Sequence, residues 1–224
     1  MKTKPLAFAV HLFTGTGAAF ALLAVIAAGR SDWRQMFLWL GIALIVDGFD
    51  GPLARMVDIK RNAANWDGEL LDLVIDYLTY VFIPAYALIY SGLLSPGWGL
   101  AAALGITLSG VVYFADVRMK AEDNSFVGFP SVFQMPLLVL MTFNPAEWVT
   151  LTTVTLLALA QFTNLKFIHP VRTERMRGVN LAVMGLWVVF GAWSVWAYFD
   201  PPGWVQAGLL ASSLYLLLVG ILFQ

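Results

Sequence analysis

Cysteine is absent from the 224 residues, and histidine occurs only twice. The first absence excludes a disulfide framework and any thiolate metal site, and the second leaves oxygen as the one plentiful ligand atom. Charge is scarce as well: Asp, Glu, Lys and Arg make up 12% of the chain, where a soluble domain carries about 25%. Thirteen basic and fourteen acidic residues leave a net charge of -1, so the polyelectrolyte character of a nucleic-acid binder is missing. Strands of alternating polarity are lacking too, which argues against a β-barrel. No repeat, low-complexity tract or linker interrupts the chain, and residues 1–224 read as one membrane-embedded domain. What fills it is apolar: 60% of the residues are hydrophobic and 14% are aromatic.

The apolar residues fall in eight segments: 6–28, 36–56, 66–91, 98–114, 130–143, 147–163, 179–199 and 205–222. A helix crosses a bilayer with about 20 apolar residues, so the expected fold is an all-α integral membrane bundle of about eight helices. The fifth segment is short and stops at Asn144-Pro145; it either dips in and returns or is accommodated by a thinned bilayer. A count of six, with two interfacial helices, stays open. The first segment opens on Lys2 and Lys4 like a signal peptide, but its apolar stretch is longer than an h-region and is expected to remain as a helix. If eight helices alternate, Lys2, Lys4, Arg55, Lys60, Arg61, Arg118, Lys120, Lys166, Arg172, Arg175 and Arg177 lie on one side, and only Arg30 and Arg34 on the other. Eleven against two places both termini in the cytoplasm. The basic run from Lys166 to Arg177 then reads first as an anchor on anionic lipid.

Half of the fourteen acids lie between Asp47 and Asp76, on the end of the second segment and the start of the third. Carboxylates at membrane depth are costly and mark function by default. At about 100° per residue, Asp47, Asp50, Gly51, Ala54 and Arg55 share one helical face, and Gly68, Asp72 and Asp76 share another. Counted from the helix ends, Asp50 pairs in depth with Asp72 and Asp47 with Asp76. Four clustered carboxylates cannot all stay charged beside a single arginine. Oxygen-only ligation points to two magnesium or manganese ions clamping a phosphoryl group. Glu69 could reach the site by the helical wheel and is read as solvated or as backing a ligand from behind, and Asp67 as interfacial. Pro52 frees the carbonyl of Gly48 and is expected to kink the second helix.

Asp47, Asp50, Gly51, Ala54, Arg55, Gly68, Asp72 and Asp76 together resemble the signature of the CDP-alcohol phosphotransferase family. Most members place eight residues between the arginine and the next glycine; here there are twelve, 56–67. The longer spacer, the eight segments and the run Glu122-Asp123-Asn124-Ser125-Phe126-Val127-Gly128-Phe129-Pro130 are similar to a choline-using bacterial branch of the family, although the Phe-x-Gly-x-Pro element within that run also occurs in serine-using members. The resemblance implies a six-helix core plus two helices in a bacterial cytoplasmic (inner) membrane, with the active site facing the cytoplasm. It implies that Asp47, Asp50, Asp72 and Asp76 hold two Mn2+ or Mg2+ ions, and that Asp47, Gly51, Ala54, Arg55 and Gly68 cradle the CDP portion of CDP-diacylglycerol. Asp76 is the implied general base for the acceptor hydroxyl, and CMP is the implied leaving group. The partners so implied are CDP-diacylglycerol, choline and membrane lipid, and not nucleic acid; monomer and homodimer stay open.

A quaternary ammonium acceptor needs aromatic faces. Trp66, Tyr77, Tyr80, Tyr113 and Phe126 are the candidates by position, Tyr77 the least favoured of them, with Glu122 or Asp123 as a counter-charge; Tyr80 follows Asp76 by one helical turn. His11 and His169 read as packing or hydrogen-bonding residues rather than ligands. Two rivals remain. One is another acceptor, serine above all, in the same chemistry. The other is a divalent-cation transporter, which leaves Gly51, Ala54, Arg55 and Gly68 without a purpose and lacks the internal repeat expected of that class.

Overall fold

The computed structural model describes residues 3–223; Lys2 lies outside them. In chain order the elements are α1 (Thr3–Gly29), α2 (Trp33–Met56), α3 (Ile59–Asn62), α4 (Gly68–Asp76), a π-helical segment (Tyr77–Phe82), α5 (Ile83–Tyr90), α6 (Pro96–Phe114), β1 (Phe126–Val127), α7 (Gln134–Phe143), α8 (Glu147–Ala160), β2 (Lys166–Phe167), α9 (Arg177–Trp196) and α10 (Gly203–Leu222). Among the described residues, six helical stretches are long and apolar enough to cross a membrane: Lys4–Gly29, Trp33–Met56, Gly68–Tyr90, Pro96–Phe114, Arg177–Trp196 and Gly203–Leu222. The fifth and sixth apolar segments of the sequence form α7 and α8, of 10 and 14 residues, below the spanning length of about 20. All eight segments are helical, and six have spanning length. Large apolar side chains such as Leu22, Ile45, Leu108 and Leu222 stay more than half exposed. In water so much exposed apolar surface would be a liability; against lipid chains it is the solvent-facing side.

The chain divides into two compact units, one ending at Ile83 and the other beginning at Pro84. In the first, Asp32 caps α2 by accepting a hydrogen bond from the Gln35 amide at 2.9 Å, which turns the chain so that α2 packs back along α1. Helix α1 also packs on α4. His11 meets Gly68 and Gly17 meets Ile75, so contacts advance in the same direction along both helices and the two run parallel. The approach is close: a Cβ on Gly17 would stand 2.8 Å from Ile75 Cγ2.

In the second unit α6 packs on α8, and α10 packs on α9 and α7. Polar pairs fix the helix register. The Trp187 Nε1–H donates to Ser213 Oγ at 2.9 Å, the Tyr215 hydroxyl donates to Asn180 Oδ1 at 3.0 Å, and the hydroxyls of Thr142 and Ser194 bond to each other. The sequence carries no strand signal here, yet β1 and β2 form a two-residue antiparallel pair, Phe126 opposite Phe167 and Val127 opposite Lys166. Next to it Gly128 adopts φ +77°, and a Cβ there would stand 2.1 Å from the Gln161 carbonyl oxygen. Both conditions require glycine.

Candidate active site

The site is built on the hairpin that joins α2 to α4. Helix α2 runs unbroken through Pro52 to Met56. Four residues before that proline, the Gly48 carbonyl loses the amide donor that any other residue at position 52 would supply. The spacer is folded rather than slack. Asp58 takes a left-handed conformation, φ +47°, and leads into the single turn of α3. The Asn62 side-chain amide donates to the Val57 carbonyl at 2.8 Å. Asp67 then caps α4, its carboxylate accepting from the Glu69 and Leu70 amides at 3.0 Å each; a negative charge at that end also complements the helix dipole. Glu69 accepts from Lys60 at 2.7 Å, with both side chains more than three-quarters exposed. Lys60 is held protonated above its ordinary range by that partner. A pair so open to solvent contributes little stability.

The hairpin brings three carboxylates together. One oxygen each from Asp47, Asp50 and Asp72 lies within 4.8 Å of the other two. Asp50 is buried, and Asp47 and Asp72 are half-buried. Oxygens on opposite sides of an ion with bonds of about 2.1 Å stand about 4.2 Å apart. Small side-chain rotations would therefore let one hard divalent cation touch all three, and the all-oxygen donor set suits such an ion. Arg55 is exposed and makes no ion pair among the described residues. A network in which Arg55 balances the acids has no support. Gly51 and Ala54 are half-buried on α2. Gly68 opens α4 with a would-be Cβ 3.0 Å from His11 Cε1, so close helix packing is one reason for its lack of a side chain.

Asp76 ends α4, half-buried, at the start of the π-helical segment; it is not among the three grouped carboxylates. Sequence reasoning missed that segment, and with it the partner of Tyr80. The Tyr80 hydroxyl, 33 residues away in sequence, donates to Asp47 Oδ2 at 2.8 Å. The only signal was the one-turn spacing from Asp76, which placed Tyr80 near the acids without naming its partner.

Of the other aromatic candidates, Trp66 lies in the first unit, half-exposed, with its ring centroid 4.9 Å from that of Phe8. In the second unit Tyr113 is buried on α6, with a hydroxyl that finds no partner among the described residues. Phe126 stacks on His169 at 5.3 Å and 13°. Glu122 is exposed and, with Lys166 and Arg175, lines a cavity of about 370 Å³. Asp123 is engaged: the Ser125 hydroxyl and amide and the Lys166 ammonium at 3.0 Å pull its carboxyl down to about 2. His169 is structural, as its residue type suggested: its Nδ1 accepts from the Val171 and Arg172 amides.

No family model matches the chain. Individual proteins do. The chain is 42% identical to the phosphatidylcholine synthase of Brucella melitensis over 97% of its own length and 79% of that protein. It is 41% identical to the phosphatidylcholine synthase of Rhizobium meliloti over 97% of itself and 90% of that protein. It is 42% identical to that of Pseudomonas aeruginosa over 83% and 78%. The motif on the hairpin is that of a CDP-alcohol phosphotransferase, and within that class the chain belongs to the phosphatidylcholine synthase family.

Proposed function

We propose that this enzyme transfers the phosphatidyl group of CDP-diacylglycerol to choline, giving phosphatidylcholine and CMP. The observation that carries the chemistry is the grouping of Asp47, Asp50 and Asp72; the relatives' shared name carries the acceptor. Asp47, Asp50, Asp72 and Asp76 would hold two Mn2+ or Mg2+ ions, which when bound neutralise charge on the phosphoryl oxygens. Gly51, Ala54, Arg55 and Gly68 cradle the CDP portion beside Asp47. Gly51 and Ala54 leave room at the α2 backbone, and the exposed Arg55 guanidinium offers a fork of donors suited to phosphate oxygens.

In the transfer Asp76 accepts the proton of the choline hydroxyl. The freed oxygen forms a bond to the lipid-side phosphorus, the bond from that phosphorus to the bridging oxygen breaks, and CMP leaves with the electron pair. Trp66, Tyr80, Tyr113 and Phe126, with Glu122, are the groups offered to the trimethylammonium. The whole chain, 1–224, acts as one domain of eight helices, α7 and α8 being the two additions to a six-helix core. It lies in the bacterial inner membrane with both termini and the motif hairpin facing the cytoplasm. The eleven-to-two basic asymmetry supports that orientation.

An acceptor panel tests this reading. Purified protein receives CDP-diacylglycerol, Mn2+ and one of choline, serine, inositol or glycerol phosphate. CMP release with choline alone is the expected result; release with serine and not choline overturns the acceptor assignment.

A further inference from the structure

We propose that Tyr80 is a positioning residue: its hydroxyl holds the carboxylate of Asp47 in the orientation in which it binds a divalent cation, and the π-helical turn after Asp76 exists to deliver that hydroxyl. The inference rests on the metal reading of the Asp47, Asp50 and Asp72 group. It assigns Tyr80 to the machinery of the donor site, whether or not its ring also meets the acceptor.

The geometry begins with the turn. On an unbroken α-helix, at about 100° per residue, Asp72 stands about 40° to one side of Asp76 and Tyr80 about 40° to the other. The stretch Tyr77–Phe82 is π-helical instead, and i→i+5 closure spreads a turn over about 4.4 residues. Four steps at about 80° each bring Tyr80 back to the Asp72 side of Asp76. The π turn therefore lines Tyr80 up with the one acid of α4 that belongs to the carboxylate group. Thr79 supports the widened turn: its hydroxyl donates to the Ile75 carbonyl at 3.0 Å and to that of Asp76 at 3.4 Å. Single π turns of this kind are uncommon and recur at functional sites.

The hydrogen bond itself has the features of an orienting contact. It joins α2 to the π segment, and the Tyr80 ring is 9% exposed, so the phenol is fixed by packing before it bonds. A phenol donating to one lone pair of Oδ2 leaves Oδ1 and the other lone pair of Oδ2 to a cation. It also removes the rotation about the last side-chain bond, which a free aspartate would have to give up on binding. Groups that orient metal ligands in this way typically change metal affinity by about 10–100-fold when removed.

Tyr80→Phe removes the hydroxyl and keeps the ring. Mn2+ binding is measured directly, by the free-ion electron paramagnetic resonance signal, on the purified full chain in detergent, without substrate. The choline KM is then measured at saturating Mn2+. Tyr80→Phe should bind Mn2+ about 10–100-fold more weakly, with the choline KM changed less than about twofold. Equal Mn2+ affinity in the two proteins overturns the positioning role, including the case in which only the choline KM rises. Failure of the wild type to bind Mn2+ at all overturns the metal reading and this inference together. Should Tyr80→Phe not fold, Tyr80→Met, a flexible apolar filler of the same slot, is read by its Mn2+ affinity alone, with the same loss expected and equal affinity overturning the positioning role.

Discussion

His11 and Gly68 touch: a Cβ built on Gly68 would stand 3.0 Å from the imidazole Cε1 and 3.5 Å from Nδ1. The histidine is 6% exposed, so it has little room to retreat. Gly68→Ala should therefore push α1 from α4 at the level of the motif, at a cost of about 1–3 kcal/mol, the usual range for overpacking. Thermal unfolding of detergent-purified variants measures this. His11→Ala in the same chain should recover part of the loss, because the two sites are in contact and their effects will not add. Purely additive effects would show that the contact does not limit the packing.

Chelation addresses the acids. Excess EDTA should abolish CMP release, and Mn2+ or Mg2+ should restore it. Asp47→Asn, Asp50→Asn and Asp72→Asn should each lower kcat/KM by at least ~10²-fold, since clamping of phosphoryl oxygens supplies several kcal/mol. Asp76→Asn should separate from them: a comparable loss of kcat with a smaller loss of Mn2+ affinity, because Asp76 lies outside the close group of three. Full activity in EDTA would remove the metal from the mechanism.

The hairpin was legible because its signals are local. Acids at membrane depth and small residues at helical spacing all lie within Asp47–Asp76, and six of the eight apolar runs mark helices of spanning length among the described residues; Asp67, read as interfacial, is instead the cap of α4. The rest was not legible for physical reasons. The run Tyr77-Leu78-Thr79-Tyr80-Val81-Phe82 is apolar and aromatic without a break, so nothing in it distinguishes an i→i+5 turn from an ordinary one. A wheel that assumes uniform rotation puts Tyr80 on the far side of Asp76 and cannot see its bond to Asp47. The pairing of Phe126–Val127 with Lys166–Phe167 spans some forty residues and two residues of strand, too short for any alternation to register. Residue counts also overstate α8, where the apolar run 147–163 continues past the helix end at Ala160.

Orientation is open to a labelling test made clean by the absence of native cysteine. Asn62 lies in the turn between α2 and α4, half-buried, with its amide tied to Val57; its neighbour Arg61 is exposed. A cysteine at either position should react with a membrane-permeant maleimide in intact cells and not with an impermeant one. Labelling by the impermeant reagent would invert the proposed topology.

The loop that carries β2 should respond to acid through His169. Burial, then the nearby cations Arg172 and Lys120, hold its imidazole down to about 4, against an ordinary value near 6.5. Its ring stacks on Phe126, and its unprotonated Nδ1 accepts the Val171 and Arg172 amides. The folded state therefore binds this proton less readily than the unfolded chain does. By linkage the neutral ring's contribution to stability is fully present above about pH 6.5 and is lost as pH falls from there through about 4. Thermal unfolding of the wild type should show a larger fall in Tm between pH 7.5 and pH 5 than that of His169→Gln, which cannot take up the proton. The carboxyl of Asp123, held to about 2, stays ionised across that window and adds nothing to the difference. Parallel pH profiles for the two proteins would show that His169 is not the titrating group.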